Sequence, residues 1–206
     1  PGRHARELAG RGITVHGIDI SHRFVELAAD GAPLGATFER LDARVLAFDA
    51  EFDAVICLCQ GAFGLMTADG HDETVVAGMA RALRPGGRLV MTVTSHRCGD
   101  MLAVPTVAVR LGLRALAARY VGWFNTRSRH VTTEGPGQWR RRLDAQGLRV
   151  TRSEYYLSAR AHRLFDVLHY AALPNLAARS LTGRWVVPPL GWAGALPARW
   201  MEEIVA

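Results

Sequence analysis

The chain has 206 residues, of which 49% are hydrophobic and 21% charged, and this balance excludes disordered and collagen-like proteins. No uncharged apolar run reaches the ~18 residues typical of a spanning segment, so the sequence predicts no transmembrane helix. All cationic side chains are arginine, and after residue 98 they number 15 against 7 acidic residues. We therefore expect the second half to meet something anionic, the alternative being an arginine-rich soluble surface.

Short helices and strands alternate along the first half of the chain. The hydrophobic pattern predicts helices at 3–9, 24–30 and 72–83, and strands at 13–19, 36–41, 52–58 and 88–94. Ser21 can cap the second helix, and the turn at 84–87 ends the third. Alternation of this kind is typical of βαβ units. The sequence thus predicts an α/β fold with a doubly wound, mostly parallel sheet.

The regular alternation ends after residue 98. An apolar helix is predicted at 101–118, interrupted by Pro105, then an irregular basic segment at 123–133. A helix at 138–145, a sixth strand at 148–157 and a helix at 160–172 follow, and a last helical piece is expected near Trp200. We therefore predict four segments, namely an α/β core at 1–98, a helical and irregular cap insertion at 99–133, the end of the core sheet at 134–157 and a helical, Trp/Pro-rich extension at 158–206.

Four features fall where an open α/β sheet binds ligands, at strand ends and helix starts. Gly2 opens a helix, whose N-terminus favours negative groups, and glycine lets the backbone approach a ligand. Asp19 ends a strand, where a carboxylate can accept hydrogen bonds from both hydroxyls of a ribose. Asp42 and Ala43 follow the next strand, where a carboxylate and a backbone amide could contact the edge of an adenine. The loop at 59–63 follows the fourth predicted strand, and together the four features indicate a nucleoside site.

Five sequence motifs resemble those of class I S-adenosylmethionine-dependent methyltransferases: Pro1-Gly2-Arg3-His4, Gly17 to Ser21, Leu41-Asp42-Ala43, Phe52 to Val55 and Leu83 to Leu89. The last is the most specific. The resemblance covers residues 1–98 well and residues 134–157 more loosely. It implies a Rossmann-like fold, an enzyme of the EC 2.1.1 type and S-adenosyl-L-methionine as cofactor. The residues that the resemblance assigns to cofactor binding are Gly2, Arg3, Asp19, Ile20, Asp42, Ala43 and Cys59.

The sequence departs from this family in two places. The strand and first glycines of the leading motif do not precede Pro1, and a seventh strand is not evident before Ala206. A central strand cannot be lost without exposing the backbone of its neighbours. We therefore expect an upstream segment that ends in an acid-x-Gly-x-Gly pattern.

Methyl transfer requires alignment and desolvation, and a base only when the acceptor is a hydroxyl or an acidic carbon. Three histidines are candidates for a base. His96 follows the fifth strand, His130 lies in the basic segment, and His169 shares one face of the last predicted helix with His162, Asp166 and Tyr170. The alternatives are a loop histidine, a cationic surface and the polar face of an amphipathic helix. No metal is expected, because ligands on one straight helix do not complete a site.

Tryptophans among many arginines indicate an acceptor that is partly apolar and partly anionic, such as a lipid-linked or phosphorylated small molecule. A weak peripheral membrane contact through 101–119 or 181–200 belongs to the same hypothesis. Three cysteines make no disulfide framework, which favours a reducing compartment and hence the cytoplasm. The membrane contact would place the protein at the membrane periphery of that compartment. The residues expected to contact the acceptor are Phe63, Trp123, Arg129, Tyr156, His162 and Tyr170.

Three other functions remain open. An RNA methyltransferase would explain the basic half, although no RNA-binding module is recognisable, and no DNA partner is expected. A nicotinamide dehydrogenase is disfavoured by the turn at 84–87 and by the absence of lysine. A non-catalytic domain with a Rossmann-like fold is the third alternative. The sequence predicts neither the acceptor atom nor the oligomeric state.

Overall fold

The computed structural model describes residues 1–58, 63, 70–128, 130, 133–171 and 180–181. It has mixed helices and parallel strands. Their order is α1 (Arg3–Gly10), β1 (Val15–Asp19), α2 (His22–Ala29), β2 (Ala36–Arg40), β3 (Phe52–Cys57), α3 (His71–Ala82), β4 (Leu83–Met91), α4 (Ala103–Arg110), α5 (Arg114–Ser128), α6 (Pro136–Asp144) and α7 (Ala159–Ala171), with 3-10 turns at Ala43–Val45 and Gly99–Met101.

The chain forms two compact units, and the first comprises residues 1–94 and 129–150. In it β1 pairs with β2 in parallel, from Val15 opposite Ala36 to Asp19 opposite Arg40. β3 pairs in parallel with β4. Within the described residues these are two separate two-stranded sheets. Parallel α/β pairing is therefore as the sequence predicts, whereas the doubly wound sheet goes beyond what these pairs show.

The turn at residues 84–87, within the first part of β4, requires the glycines of its Pro-Gly-Gly sequence. The register with β3 jumps from Phe52 opposite Leu83 to Ala54 opposite Arg88, so the Pro-Gly-Gly segment bulges out. Gly86 has a φ of 80°, which favours glycine. A Cβ on Gly87 would lie 2.9 Å from the carbonyl oxygen of Arg84 and 3.2 Å from that of Asp53. Both glycines are therefore required by the backbone.

Arg6 joins the first two helices. Its guanidinium donates hydrogen bonds to the carbonyl oxygens of Ala28 at 2.9 Å and Gly31 at 3.1 Å, and also to those of Leu27 and Asp30. The last carbonyls of a helix have no partner within the helix, and a cation there also favours the helix dipole. Arg6 thus satisfies the C-terminal end of α2 and fixes α1 beside it.

The core of this unit lies between α3, the strands and α6. Its buried members are Leu46, Cys57, Phe63, Val75, Val76, Met79 and Trp139. The Trp139 ring meets the Phe63 ring edge-on at 5.3 Å between centroids. Ile18 of β1 and Val55 of β3 pack against the same cluster, so both strand pairs contribute to one core.

The second unit contains residues 95–128 and the described residues from 151 onward. The helix predicted at 101–118 is two helices, and the break lies at Gly112, whose φ is 77°. Pro105 does not interrupt α4, because it lies in the first turn, where its missing N–H group has no intrahelical partner to lose. Residues 123–128, predicted irregular, continue α5.

The predicted sixth strand at 148–157 is wrong. Residues 148–156 are irregular, and Tyr155 and Tyr156 are 48% and 57% exposed. Strand formation by β-branched and aromatic residues depends on cross-strand neighbours, and no described strand pairs with this segment. The functional division into core, cap and extension stays a prediction. None of the helices in the described ranges combines the length and apolarity needed to cross a membrane.

Candidate functional site

Asp19 and Asp42 lie at the same end of the β1–β2 pair. Asp19 is the last residue of β1 and stands opposite Arg40, the last residue of β2. The backbone N–H of Leu41 donates to the carbonyl oxygen of Asp19 at 3.1 Å, which extends the pairing toward Asp42. The two carboxylates thus follow neighbouring parallel strands at their carboxyl ends, where α/β sheets bind ligands.

Asp19 uses one carboxylate oxygen to hold the turn after β1. Its Oδ1 accepts a hydrogen bond from the backbone N–H of Ser21 at 2.8 Å. Ser21 in turn caps α2, its hydroxyl accepting from the N–H of Phe24 at 3.3 Å, as predicted. Across the described residues, Asp19 forms no ion pair and its Oδ2 accepts no hydrogen bond. That oxygen is available to a ligand.

Asp42 is held by Arg44 within a short turn. Its Oδ1 accepts from the backbone N–H of Arg44 at 2.9 Å, and both oxygens accept from the guanidinium Nε at 2.9 and 3.0 Å. These side-chain and backbone hydrogen bonds, with the positive charge, lower the pKa of Asp42 from 3.8 to about 2. Asp42 is therefore ionised at neutral pH and already engaged.

We expect the substitution Arg44→Gln to raise the pKa of Asp42 toward 3.8, because the bidentate cation is lost. A depressed carboxyl pKa stabilises the fold above the unfolded value and loses that contribution as pH falls toward 2. As the pH is lowered from about 4 to about 2, the free energy of unfolding should therefore fall less in the variant than in the unchanged protein. Carbon-13 NMR titration of the carboxyl measures the pKa directly. An unchanged Asp42 titration would contradict the Arg44 contact, and Arg23→Gln, on the exposed face of α2, is the control.

Gly2 has a structural reason to be glycine. Its φ is 68°, and a Cβ there would lie 2.8 Å from the Cβ of Ala28 and 3.1 Å from the Phe38 ring. The space beside Gly2 is thus filled by the protein's own side chains. This packing accounts for the glycine without the close ligand approach that the sequence suggested.

The other predicted cofactor residues differ in their surroundings. Ile20 is 59% exposed directly after Asp19, an uncommon position for a large apolar side chain at a strand end. Ala43 is half-buried against the core, and the exposed Arg3 donates to the ring of His4 at 3.3 Å. Cys59 lies outside the described residues. Ile20 is therefore the apolar surface next to Asp19.

The three candidate bases lie in different surroundings. His96 is exposed in the turn after β4, and no described residue hydrogen-bonds its ring. His130 is half-buried. For His169 the structure gives the backbone, within α7, while its side chain is outside the description. No group of three potential metal ligands is found among the described residues.

The face of α7 that carries His162 and Asp166 contacts groups that sequence reasoning did not foresee. The Nε2 of His162 lies 3.8 Å from the Sγ of Cys98, and Oδ2 of the buried Asp166 accepts from the backbone N–H of Ala103 at 2.8 Å. Burial lowers the pKa of His162, which Asp166 opposes, while burial and Asp166 raise the pKa of Cys98. Both shifts favour the neutral forms of the thiol and the imidazole, and Asp166 caps α4.

The predicted acceptor residues do not form one described pocket. Phe63 is 0% exposed, so its side chain belongs to the core and would reach an acceptor only if that core opened. Trp123 is 59% exposed on α5, and Tyr156 is exposed on the irregular segment. Tyr170 shares a hydroxyl hydrogen bond with Tyr120, and burial raises the pKa of Tyr170. Arg129 lies outside the described residues.

Several buried polar atoms in the first unit have no hydrogen-bond partner among the described residues. They include the hydroxyl oxygens of Thr92 and Thr94, Nδ1 of His71 and Nε1 of Trp139. Native proteins rarely leave such atoms unpaired without a ligand or water. Thr92 and Thr94 directly follow β4, and the N–H of Thr92 donates to the carbonyl oxygen of Cys57 at 3.0 Å. Polar residues at this strand end were the signal that sequence reasoning missed.

Three solved structures are similar to this chain, and the first of those described here, with a TM-score above 0.5, supports a shared fold. A chain of the complex that contains the Haloferax volcanii Trm112 methyltransferase activator is 21% identical with a TM-score of 0.53, over 73% of this chain and 58% of that one. YcgJ from Bacillus subtilis is 20% identical over 64% and 50% of the two chains with a TM-score of 0.44. The [4+2]-cyclase SpnF is 28% identical over 44% and 34% with a TM-score of 0.38. The chain thus spans about a third to three fifths of these structures.

A family model matches the first part of the chain. Residues 1–87 match the model of a family described as "Methyltransferase domain". Among curated proteins no match was found. The matched residues contain Gly2, Asp19, Asp42 and the turn at 84–87, which are the residues on which the resemblance was based. Residues 1–87 are therefore similar to the methyltransferase domain family over somewhat less than half of the chain, in agreement with the resemblance to class I methyltransferases.

Proposed function

We propose that the protein is an S-adenosylmethionine-dependent methyltransferase acting on a small-molecule acceptor. One observation carries the proposal: two ionisable carboxylates follow neighbouring parallel strands at the same end, and one oxygen of Asp19 has no partner among the described residues. The family match over residues 1–87 supports the same cofactor, since members of this family generally use it.

The residues at this end of β1 and β2 fit an adenosine. The unpaired Oδ2 of Asp19 would accept hydrogen bonds from both ribose hydroxyls, and charge-assisted bonds of this kind are strong. The exposed side chain of Ile20 would lie against the adenine ring and lose contact with water. Ala43 would offer backbone groups, and Asp42 would have to share its oxygens between Arg44 and the adenine amino group.

The bound cofactor would supply a methyl group activated on a sulfonium. The chain has to orient the acceptor, exclude water and take up a proton where the acceptor requires it. We assign the orienting role to the unpaired polar atoms of Thr92, Thr94 and His71. His96 is the proposed base, because its exposed ring is held by no described residue. His130 and His169 stay secondary proposals.

We further propose that the two strand pairs belong to one doubly wound sheet, with a cap at 99–133 and an extension at 158–206. Ile18 of β1 and Val55 of β3 pack on the same core, and the His16 ring stacks 6.5 Å from the Phe52 ring. A strand between β1 and β3 would join the pairs, and none of the described residues forms one. The arginine-rich second half favours an anionic acceptor. The three cysteines, which make no disulfide framework, favour a location in the cytoplasm.

Titration calorimetry tests the cofactor class directly. We expect S-adenosylmethionine and S-adenosylhomocysteine to bind, and NADPH not to bind. Binding of NADPH with none of S-adenosylmethionine would overturn the proposal. The acceptor class is tested by offering methyl-labelled cofactor with separated small-molecule and RNA fractions. Label in the RNA fraction alone would replace the small-molecule acceptor with RNA.

A further inference from the structure

The hairpin of α4 and α5 displays two leucines at its apex. Helix α4 ends in a tight turn in which the N–H of Gly112 donates to the carbonyl oxygen of Val109 at 3.0 Å, and that of Leu113 to Ala108 at 2.8 Å. Gly112 has a φ of 77°, a backbone conformation that favours glycine. Leu111 and Leu113, on either side of it, are 69% and 48% exposed. The turn therefore fixes two large apolar side chains outward.

The apolar surface continues from the apex along the helices. Val107 and Leu116, one turn away on either helix, are 53% and 54% exposed. Together with Leu111 and Leu113 they line an open groove of about 400 Å³ with almost wholly apolar walls. Its lining comes from α4, the apex, α5 and α7. Exposed apolar side chains that adjoin one another and are rimmed by polar residues are typical of contact sites.

Arginines frame this apolar apex. Arg110 and Arg114 directly flank the Leu-Gly-Leu turn, and both side chains are exposed. Residues 101–128 contain four arginines and no acidic residue. Neither flanking arginine forms an ion pair with any described residue. The hairpin thus combines a projecting apolar tip with two flanking arginines whose charges are paired with no described residue.

We propose that the α4–α5 hairpin docks peripherally on an anionic lipid bilayer. Leu111 and Leu113 enter the boundary between headgroups and acyl chains, and Arg110 and Arg114 bind lipid phosphates. Apolar insertion and electrostatic attraction together are what interfacial helices use. A symmetric contact with a second copy of this hairpin would set arginine against arginine, which the charge pattern disfavours. The proposal is independent of the methyltransferase activity.

Co-sedimentation of the whole protein with lipid vesicles tests the proposal. Vesicles of phosphatidylcholine alone are compared with vesicles that also contain phosphatidylglycerol, at low and high salt. We expect binding to the anionic vesicles only, weakened by salt. Arg110→Gln with Arg114→Gln should weaken binding by about 25-fold, at about fivefold for each arginine. Leu111→Ser with Leu113→Ser should weaken it by at least about tenfold without changing the charge.

Matched controls lie in the first unit. Leu34→Ser removes a fully exposed leucine, and Arg11→Gln with Arg23→Gln removes two exposed arginines, so both variants should bind as the unchanged protein does. Thermal unfolding shows whether the hairpin variants remain folded. Equal binding to both kinds of vesicle would overturn the proposal. Binding that survives in both folded hairpin variants would also overturn it. Absence of vesicle binding would overturn it too, and a dimer that the leucine variant dissociates would then show that the hairpin is a contact between two copies of the chain.

Discussion

Replacing Asp19 with alanine is expected to weaken S-adenosylmethionine binding by at least about 100-fold and to abolish methyl transfer. The carboxylate is proposed to accept hydrogen bonds from the ribose, and bonds to a charged group contribute about 1.5–3 kcal/mol each. The turn should persist, because the lost bond to the N–H of Ser21 leaves a group that water can reach. Calorimetry gives the affinity, and transfer of labelled methyl groups gives the activity.

Two further variants separate binding from turn structure. Asp19→Asn keeps an oxygen for the N–H of Ser21 and removes the charge, so it should retain the fold and bind about tenfold more weakly. Asp53→Asn changes an aspartate at the start of β3, whose side chain is 85% exposed and paired with Arg84, and should leave binding unchanged. If the Asp19→Ala protein is folded and binds normally, the ribose role is refuted.

Replacing Phe63 with alanine is expected to lower the free energy of unfolding by about 3–5 kcal/mol, the range for deletion of a buried aromatic side chain. Phe63 is 0% exposed, and its ring meets Trp139 edge-on within the core of the first unit. The deletion leaves a cavity lined by close-packed neighbours that relax only in part. Denaturant titration followed by tryptophan fluorescence measures the loss.

Phe24 provides the comparison for this prediction. It lies on α2 of the same unit and is 50% exposed, so Phe24→Ala should cost far less. A loss at Phe63 as small as that at Phe24 would show that the ring is not part of the core. In that case the acceptor contact predicted for Phe63 would regain its basis.

The strand ends of the first unit could be predicted because local chemistry decides them. Asp19 closes β1, and Ser21 caps the following helix through its own hydroxyl. The Pro-Gly-Gly turn is fixed by the conformation of Gly86 and the close backbone approach at Gly87. These features depend on residues close in sequence, and a single chain therefore displays them.

Features that depend on distant partners were not predictable. The residues from 148 onward have strand-like composition, but a strand needs a neighbour, and no described strand provides one. Phe63 lies in a predicted loop, and only its packing on Trp139, far along the chain, makes it core. Asp166 shares a helix face with the candidate histidines, whereas its carboxylate accepts a hydrogen bond from the N–H of Ala103 at the start of α4. Spacing on one helix does not show what another element brings to it.

Within the candidate site, the sequence indicated the two carboxylates but not which of their oxygens already have hydrogen-bond partners. Arg44 holds both oxygens of Asp42, while one oxygen of Asp19 has no partner among the described residues. The difference arises from an arginine two positions away whose direction the sequence does not show. Asp19 is accordingly the stronger of the two cofactor assignments.

The crystal structure of the protein with S-adenosylhomocysteine tests the central claim most directly. We expect ribose hydroxyls on the Asp19 carboxylate, at roughly 2.5–2.7 Å for charge-assisted bonds, with the adenine against Ile20. An adenosine bound elsewhere, with Asp19 in contact with solvent alone, would contradict it.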